Sequence, residues 1–201
     1  MSNTAEHWNT IFANKQDQEL GWYEQDVSQT LKFITPLNLA NKTVFLPGAG
    51  TSNLVKHLAK ANCHLVLNDI SHQALDKLKS KIGQQHKFIC ADISKPLETG
   101  LNIDIWIDRA VLHFLLTEHE ISQYFDNLKA SVNLGGYVLL AEFSKEGAPK
   151  CAGLELHRYS LDEFCERLGE EFELVSSEDY VFRTPSGLER PYIYAFFKRV
   201  S

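Results

Sequence analysis

Two glycines one residue apart, Gly48-Ala49-Gly50, follow the apolar run Val44-Phe45-Leu46. A glycine turn at the end of a strand lets the backbone approach a ligand closely. The next apolar run, His64-Leu65-Val66-Leu67, ends in Asn68-Asp69. A carboxylate at the tip of that strand suits a ribose diol. Together these residues predict a nucleotide-like ligand, and the details narrow it. A dinucleotide fingerprint needs G-x-G-x-x-G, but Asn53 stands where the third glycine would be. The phosphate-binding pattern G-x-x-x-x-G-K-[ST] is absent. A ligand with an adenine, a ribose and an amino-acid tail, and no phosphates, fits better.

These residues need elements to hold them. The pattern predicts a helix over Asp26 to Ile34, stopped by Pro36 and Asn38, then a strand over Thr43 to Leu46. A helix from Ser52 follows, with Leu54, Val55, Leu58 and Ala61 inward. Next come a strand over His64 to Asn68 and a helix from Ser71 to Ile82, stopped by Gly83. Strands are expected over Lys87 to Cys90, closed by Ala91-Asp92, and over Ile103 to Ile107, closed by Asp108-Arg109. A helix over Glu118 to Ser131 leads through Gly135-Gly136 to a strand over Tyr137 to Phe143. The loop Ser144 to Tyr159, a helix over Ser160 to Leu168 and two final strands complete the chain. Those strands cover about Phe172 to Phe182 and Pro191 to Lys198, joined by Thr184-Pro185-Ser186-Gly187. Alternating strands and helices predict an α/β, Rossmann-like sheet of seven strands with helices on both faces. The short final turn makes the last two strands an antiparallel hairpin on a mostly parallel sheet. Ligands sit at the carboxyl ends of such strands, which places Gly48, Gly50, Asp69, Asp92, Asp108 and Glu142 near one rim.

The 201 residues suit a single domain, 1–201, with an aromatic arm or lid over 1–25 and a binding core over 26–201. Hydrophobic content of 44% and charged content of 23% are ordinary for a globular chain. A net charge of −6 without a Lys/Arg stripe argues against nucleic acid as partner. Cys63, Cys90, Cys151 and Cys165 form no CxxC pair, so no metal site is expected. Cys63 and Cys90 lie in apolar runs and are expected as buried thiols. The N-terminus lacks a signal-peptide pattern, and no apolar stretch approaches the roughly 20 residues that span a bilayer. A cytoplasmic protein with no membrane partner is expected.

With these motifs in order, the chain resembles class I S-adenosylmethionine-dependent methyltransferases over nearly all its length. The resemblance implies S-adenosylmethionine as cofactor and S-adenosylhomocysteine as product. It implies that Gly48, Ala49 and Gly50 approach the methionine part of the cofactor, with Leu46 and Pro47 beside them. Asp69, flanked by Asn68 and Ile70, would hold the ribose hydroxyls. Asp92, followed by Ile93, would hold the adenine amino group, and Asp108 would line the reaction site. Gly135-Gly136 and the final hairpin also match. One departure stands out: an acid usually sits two residues before the first glycine, and here that residue is Leu46. Contact to the cofactor's ammonium must then come from backbone carbonyls or from another acid.

Trp8, Trp22 and Tyr23 lie in an arm that resembles that of methyltransferases similar to thiopurine S-methyltransferases, and of some protein-lysine methyltransferases. The arm either covers an edge of the sheet or closes over the cofactor, whose sulfonium an aromatic face attracts. Trp22 is assigned to the cofactor and Trp8 to the substrate. Asp108-Arg109-Ala110-Val111-Leu112-His113-Phe114 is similar to the Asp-Arg stretch of small-molecule thiol methyltransferases and lacks the Asn-Pro-Pro-Tyr type of motif. Arg109 either holds an anionic substrate or pairs with an acid such as Asp104 or Glu142. His113 either acts as general base or packs and caps. Cys151 and Arg158, in the loop at the carboxyl rim, are further substrate-binding candidates. The catalytic set is thus Asp108, Arg109 and His113. The expected activity is methyl transfer to a small molecule, a thiol or related soft nucleophile. Transfer to a protein lysine and a non-catalytic cofactor-binding module are the alternatives.

Overall fold

The computed structural model describes residues 4–201; the first three residues of the expected 1–25 arm lie outside the described residues. One sheet organises the chain. Its strands are β1 (Thr43–Leu46), β2 (His64–Asp69), β3 (Lys87–Cys90), β4 (Ile103–Arg109), β5 (Val132–Phe143), β8 (Phe172–Arg183) and β9 (Glu189–Arg199). They lie in the order β3-β2-β1-β4-β5-β9-β8. The first five are mutually parallel, and β9 pairs antiparallel with both β5 and β8. The Rossmann-like sheet with its C-terminal antiparallel hairpin is therefore present. The short β6 (Lys150–Cys151) and β7 (Leu154–Glu155) form a separate hairpin inside the loop that follows β5. The sequence pattern did not reveal it, because two-residue strands carry no periodicity.

Alternation along the strands divides the core. Ile105 and Ile107 of β4 face one side, with α2 (Ser28–Ile34) and α3 (Asn53–Leu58) packed over it. Trp106 faces the other, beneath α5 (Glu118–Ser131) and α6 (Leu161–Leu168). This period of two decides which chemistry reaches which face. Arg109 shares parity with Ile107, whereas Asp108 shares parity with Trp106. A third cluster sits at the carboxyl end, where Trp8 and Phe12 of α1 (Ala5–Asn14) meet Leu20, Phe114 and Ala74 of α4 (His72–Ile82).

Local signals explain most boundaries. Ser52, Ser71, Thr117 and Ser160 each cap the helix that follows with a side-chain oxygen. Asp26 accepts from the Ser28 amide, so α2 begins at Ser28 rather than Asp26. The segment from 91 to 102 crosses from β3 to β4 without a helix. Pro96 and Gly100 break it. Instead, Asn127 of α5 pins its backbone, donating to the Ile93 and Lys95 carbonyls and accepting from the Leu97 amide. Strand β5 begins at Val132 and reaches β4 again at Tyr137 through a bulge holding Gly135-Gly136. Cys63 is buried, but Cys90 is exposed. It closes an edge strand that has a paired neighbour, β2, on one side only, which corrects the expectation from its apolar neighbours.

Candidate active site

The carboxyl ends of β1 to β4 and the N-terminal arm enclose a concave site. Gly48 has φ 51° and Gly50 has φ 53°, the left-handed region that favours glycine. Space as well as angle excludes a side chain at Gly48, where a Cβ would lie 2.2 Å from Val111 Cγ2. At Gly50 a Cβ would lie 3.3 Å from the Phe12 ring. The turn is fastened to the tip of β2. The Ala49 amide donates to the Asn68 carbonyl at 2.8 Å, and the Gly50 amide donates to Asp69 Oδ2 at 2.8 Å.

Asp69 therefore organises the turn as well as facing the site. Its Oδ1 accepts from the Ser71 amide at 2.8 Å, and Ser71 Oγ donates to Asn9 Oδ1 at 2.7 Å. Burial pushes the Asp69 carboxyl up to about 6, against the amide bonds from Ser71 and Gly50 that favour its charged form. A carboxylate accepts about four hydrogen bonds, so acceptor capacity remains beyond these two amides. Asn68 spends its side-chain amide on the Ile89 and Ala91 carbonyls of the neighbouring strand. Its part is to hold β3 in place. Asp92 accepts from the Ser94 amide and hydroxyl through Oδ1. Leu46, Pro47, Asn68, Ile70, Asp92 and Ile93 all line the site.

The arm forms the opposite wall through Trp8, Phe12, Leu20, Trp22, Tyr23 and Glu24. Trp8 lies edge-on to Trp22 at 5.6 Å and to Phe114 at 5.0 Å. The arm is bound to the core by polar contacts. Asn53 of α3 donates to the Glu24 carbonyl and the Tyr23 hydroxyl, and Lys81 of α4 pairs with Asp17.

Arg109 also lines the site, with Glu24 as its ion-pair partner at 2.9 Å. This corrects the expectation of Asp104 or Glu142. Asp104 binds the Thr43 amide and Lys42, and Glu142 belongs to the other face of the sheet. The Arg109 guanidinium further donates to the Trp22 carbonyl and the Tyr194 hydroxyl and lies over the Phe182 and Tyr192 rings. Its Nη2 has no hydrogen-bond partner among the described residues. Burial pushes the Glu24 carboxyl up, and the Arg109 charge opposes that rise.

Asp108 departs from its expected place. It is fully buried on the α5 side and is not part of the site's lining. Its carboxyl accepts from the Val111 and Leu112 amides and from the Tyr124 hydroxyl at 2.6 Å. It thus caps the turn that carries His113. Burial, then the nearby Glu142, carries its carboxyl well above the ordinary carboxylate range. His113 does reach the lining, although its side chain is fully buried. Its Nδ1 lies 2.6 Å from Glu142 Oε2 but off the line of a hydrogen bond, and neither ring nitrogen has a hydrogen-bond partner among the described residues. Burial lowers the His113 imidazole to about 3, and burial also raises Glu142 to about 8. The imidazole is therefore neutral at neutral pH, and its short contact is with a carboxyl that favours its protonated form.

In the loop after β5, Cys151 lines the site and burial pushes its thiol up. Arg158 does not reach it. The Arg158 guanidinium donates to the Lys145 and Gly147 carbonyls and shapes the loop instead. Sequence reasoning missed Phe12, Glu24, Val111 and Phe114 as wall residues. For Glu24 the one available signal was its position directly after Trp22-Tyr23.

Comparison with known proteins agrees with this geometry. Residues 46–140 match a family model described as a methyltransferase domain. No curated protein sequence matches the chain. Among solved structures, a methyltransferase dependent on S-adenosylmethionine from Anabaena variabilis superposes with a TM-score of 0.78 at 16% identity. That match covers 97% of this chain and 93% of the other. Magnesium protoporphyrin IX methyltransferase from Synechocystis, with bound S-adenosylhomocysteine, has a TM-score of 0.70 at 20% identity, covering 96% and 93%. The 1,6-didemethyltoxoflavin-N1-methyltransferase of Burkholderia thailandensis has a TM-score of 0.69 at 16% identity, covering 94% and 81%. Glycine turn and strand order thus agree with the match of residues 46–140 to a methyltransferase-domain model, and the chain as a whole has the fold of these S-adenosylmethionine-dependent methyltransferases.

Proposed function

We propose that this chain transfers a methyl group from S-adenosylmethionine to a small-molecule acceptor, with a thiol or other soft nucleophile as the preferred class. The observation that carries the reading is the site itself: a doubly left-handed glycine turn flanked by Asp69 and Asp92 and walled by the aromatic arm. Its lining holds three carboxylates, Glu24, Asp69 and Asp92, with Arg109 as the fixed cation. That donor set suits a cationic nucleoside and disfavours a polyphosphate. Two solved neighbours whose names carry a substrate, a porphyrin and a toxoflavin precursor, act on small molecules.

Gly48 and Gly50 would bring backbone against the amino-acid tail, beside Leu46 and Pro47. Asp69 would accept from the ribose hydroxyls, and Asp92 from the adenine amino group between Ile70 and Ile93. Trp22 would cover the ligand from the arm. When bound, the cofactor supplies an activated methyl group on a sulfonium, so the protein's work is alignment and exclusion of water. The arm and the loop carrying Cys151 exclude water. Burial holds His113 neutral and makes it a weak base, so it would take the acceptor's proton only with Glu142 ionised beside it to offset the charge. A thiol needs little such help, since thiolate forms at modest pH. Trp8 and Cys151 would border the acceptor.

Radiolabelled methyl transfer into fractionated lysate tests the reading. Label in the small-molecule fraction is expected. Label on protein would replace it with the protein-lysine alternative. Binding of S-adenosylhomocysteine with no transfer to any fraction would replace it with the non-catalytic alternative.

A further inference from the structure

We infer that Glu24, delivered by the N-terminal arm, is the acid that receives the α-ammonium of the cofactor's amino-acid tail, in place of the acid missing at Leu46. This rests on the reading that the ligand is S-adenosylmethionine.

Topology fixes the direction of the tail. The strands run β3-β2-β1-β4. Asp92 follows β3, and Asp69 closes β2. A nucleoside with its base near Asp92 and its ribose near Asp69 must pass over the glycine turn after β1, so its tail reaches the β4 side. The lining carboxylates are Glu24, Asp69 and Asp92, and Glu24 alone belongs to that side, through its 2.9 Å ion pair with Arg109 at the end of β4.

Register points to the same place. Val44 pairs with Ile105 and Phe45 with Trp106, which sets Leu46 beside Ile107, one pleat below Arg109. Leu46 and Ile107 belong to the same face of the sheet. An acid at position 46 would project on the face where the Glu24 and Arg109 side chains meet. Leu46 offers no charge there, and Pro47 offers no N–H. Glu24 fills the role from another part of the chain. Asn53 anchors its backbone through the Glu24 carbonyl, and Arg109 fixes its carboxylate. An ammonium arriving on that carboxylate makes it the shared acceptor of two cations.

The test compares two ligands by calorimetry: S-adenosylhomocysteine, which has the amino-acid tail, and 5′-methylthioadenosine, which lacks it. Glu24→Gln is expected to weaken S-adenosylhomocysteine at least about tenfold, the loss of one hydrogen bond to a charged group, and to leave methylthioadenosine within about twofold. Methylthioadenosine also reports that the adenosine site is intact. Should Glu24→Gln fail to fold with Arg109 unbalanced, the double variant Glu24→Gln, Arg109→Met removes both charges and must show the same selective loss. Unchanged S-adenosylhomocysteine affinity, or equal weakening of both ligands, overturns the proposal. Failure of the native chain to bind either ligand overturns the cofactor reading itself, and this proposal with it.

Discussion

Replacing Asp69 by alanine should separate the structural job its carboxylate performs from the ligand-binding job we propose for it. The first is structural. Asp69 is 4% exposed and receives amides from Gly50 and Ser71. Losing both leaves two buried donors unpaired, at about 1–3 kcal/mol each. An opposing effect comes from the carboxyl's own burial. Folding lifts it from 3.8 to about 6, so the ionised form is held at a cost of about 3 kcal/mol. Because the folded value is raised, the carboxyl contributes most below its unfolded value of 3.8, and that contribution is lost as pH rises through about 6. Asp69→Ala should therefore destabilise more in acid than at neutral pH, by roughly 1.4 kcal/mol between about pH 5 and about pH 7.5. The second job is ligand binding. Two hydrogen bonds from ribose hydroxyls to a charged group amount to about 3–6 kcal/mol, a loss of roughly 10²–10⁴ in affinity for S-adenosylhomocysteine. Urea unfolding at the two pH values and calorimetric titration measure the two effects separately. A destabilisation independent of pH would refute the burial argument. Affinity within about threefold of the native chain would refute the ribose assignment.

The glycine turn and the arm yield two further expectations. Gly48→Ala should lose about 1–2 kcal/mol to the left-handed backbone alone, with a further loss from the collision with Val111. Adding Val111→Ala should recover the collision part and leave the backbone part, seen as non-additive urea midpoints; a Gly48→Ala midpoint equal to the native one would show that the turn is not built this way. Trp22→Ala should weaken S-adenosylhomocysteine several-fold with little change in melting temperature, because Trp22 is only half-buried. Trp8→Ala, at a residue 8% exposed and packed on Phe114, should instead cost about 3–5 kcal/mol of stability. The opposite pattern would make Trp22 core and Trp8 the lid.

Much of the fold was legible because its signals are local. Each α-helix after the first glycine turn announces itself with a serine or threonine cap, and α4 and α6 end at Gly83 and Gly169. The cofactor side of the site was legible for a similar reason. Strand ends in a parallel sheet converge on one rim, so Gly48, Asp69 and Asp92 could be placed together from spacing alone. The reaction side was not. Asp108 and Arg109 are neighbours in sequence and both polar, yet they face opposite sides of the sheet. Only the pairing of β4 with β1 and β5 decides which of them lines the site. Arg158 was misplaced because a loop arginine finds its partners among carbonyls that the loop's own path supplies.

By itself the sequence determined a parallel sheet with an antiparallel end, a glycine turn unsuited to pyrophosphate, and acids at the strand tips. These follow from short-range sterics and from periodicities of two and 3.6 residues, which are properties of the chain. Tertiary structure decided that the arm is a wall of the site, that Arg109 pairs with Glu24, and that Asp108 supports His113 from behind. Those outcomes depend on which groups are desolvated together. A buried charge must find an opposite one, and the chain brings Glu24 and Arg109 within 2.9 Å across 85 residues of sequence only once the sheet has closed beneath them.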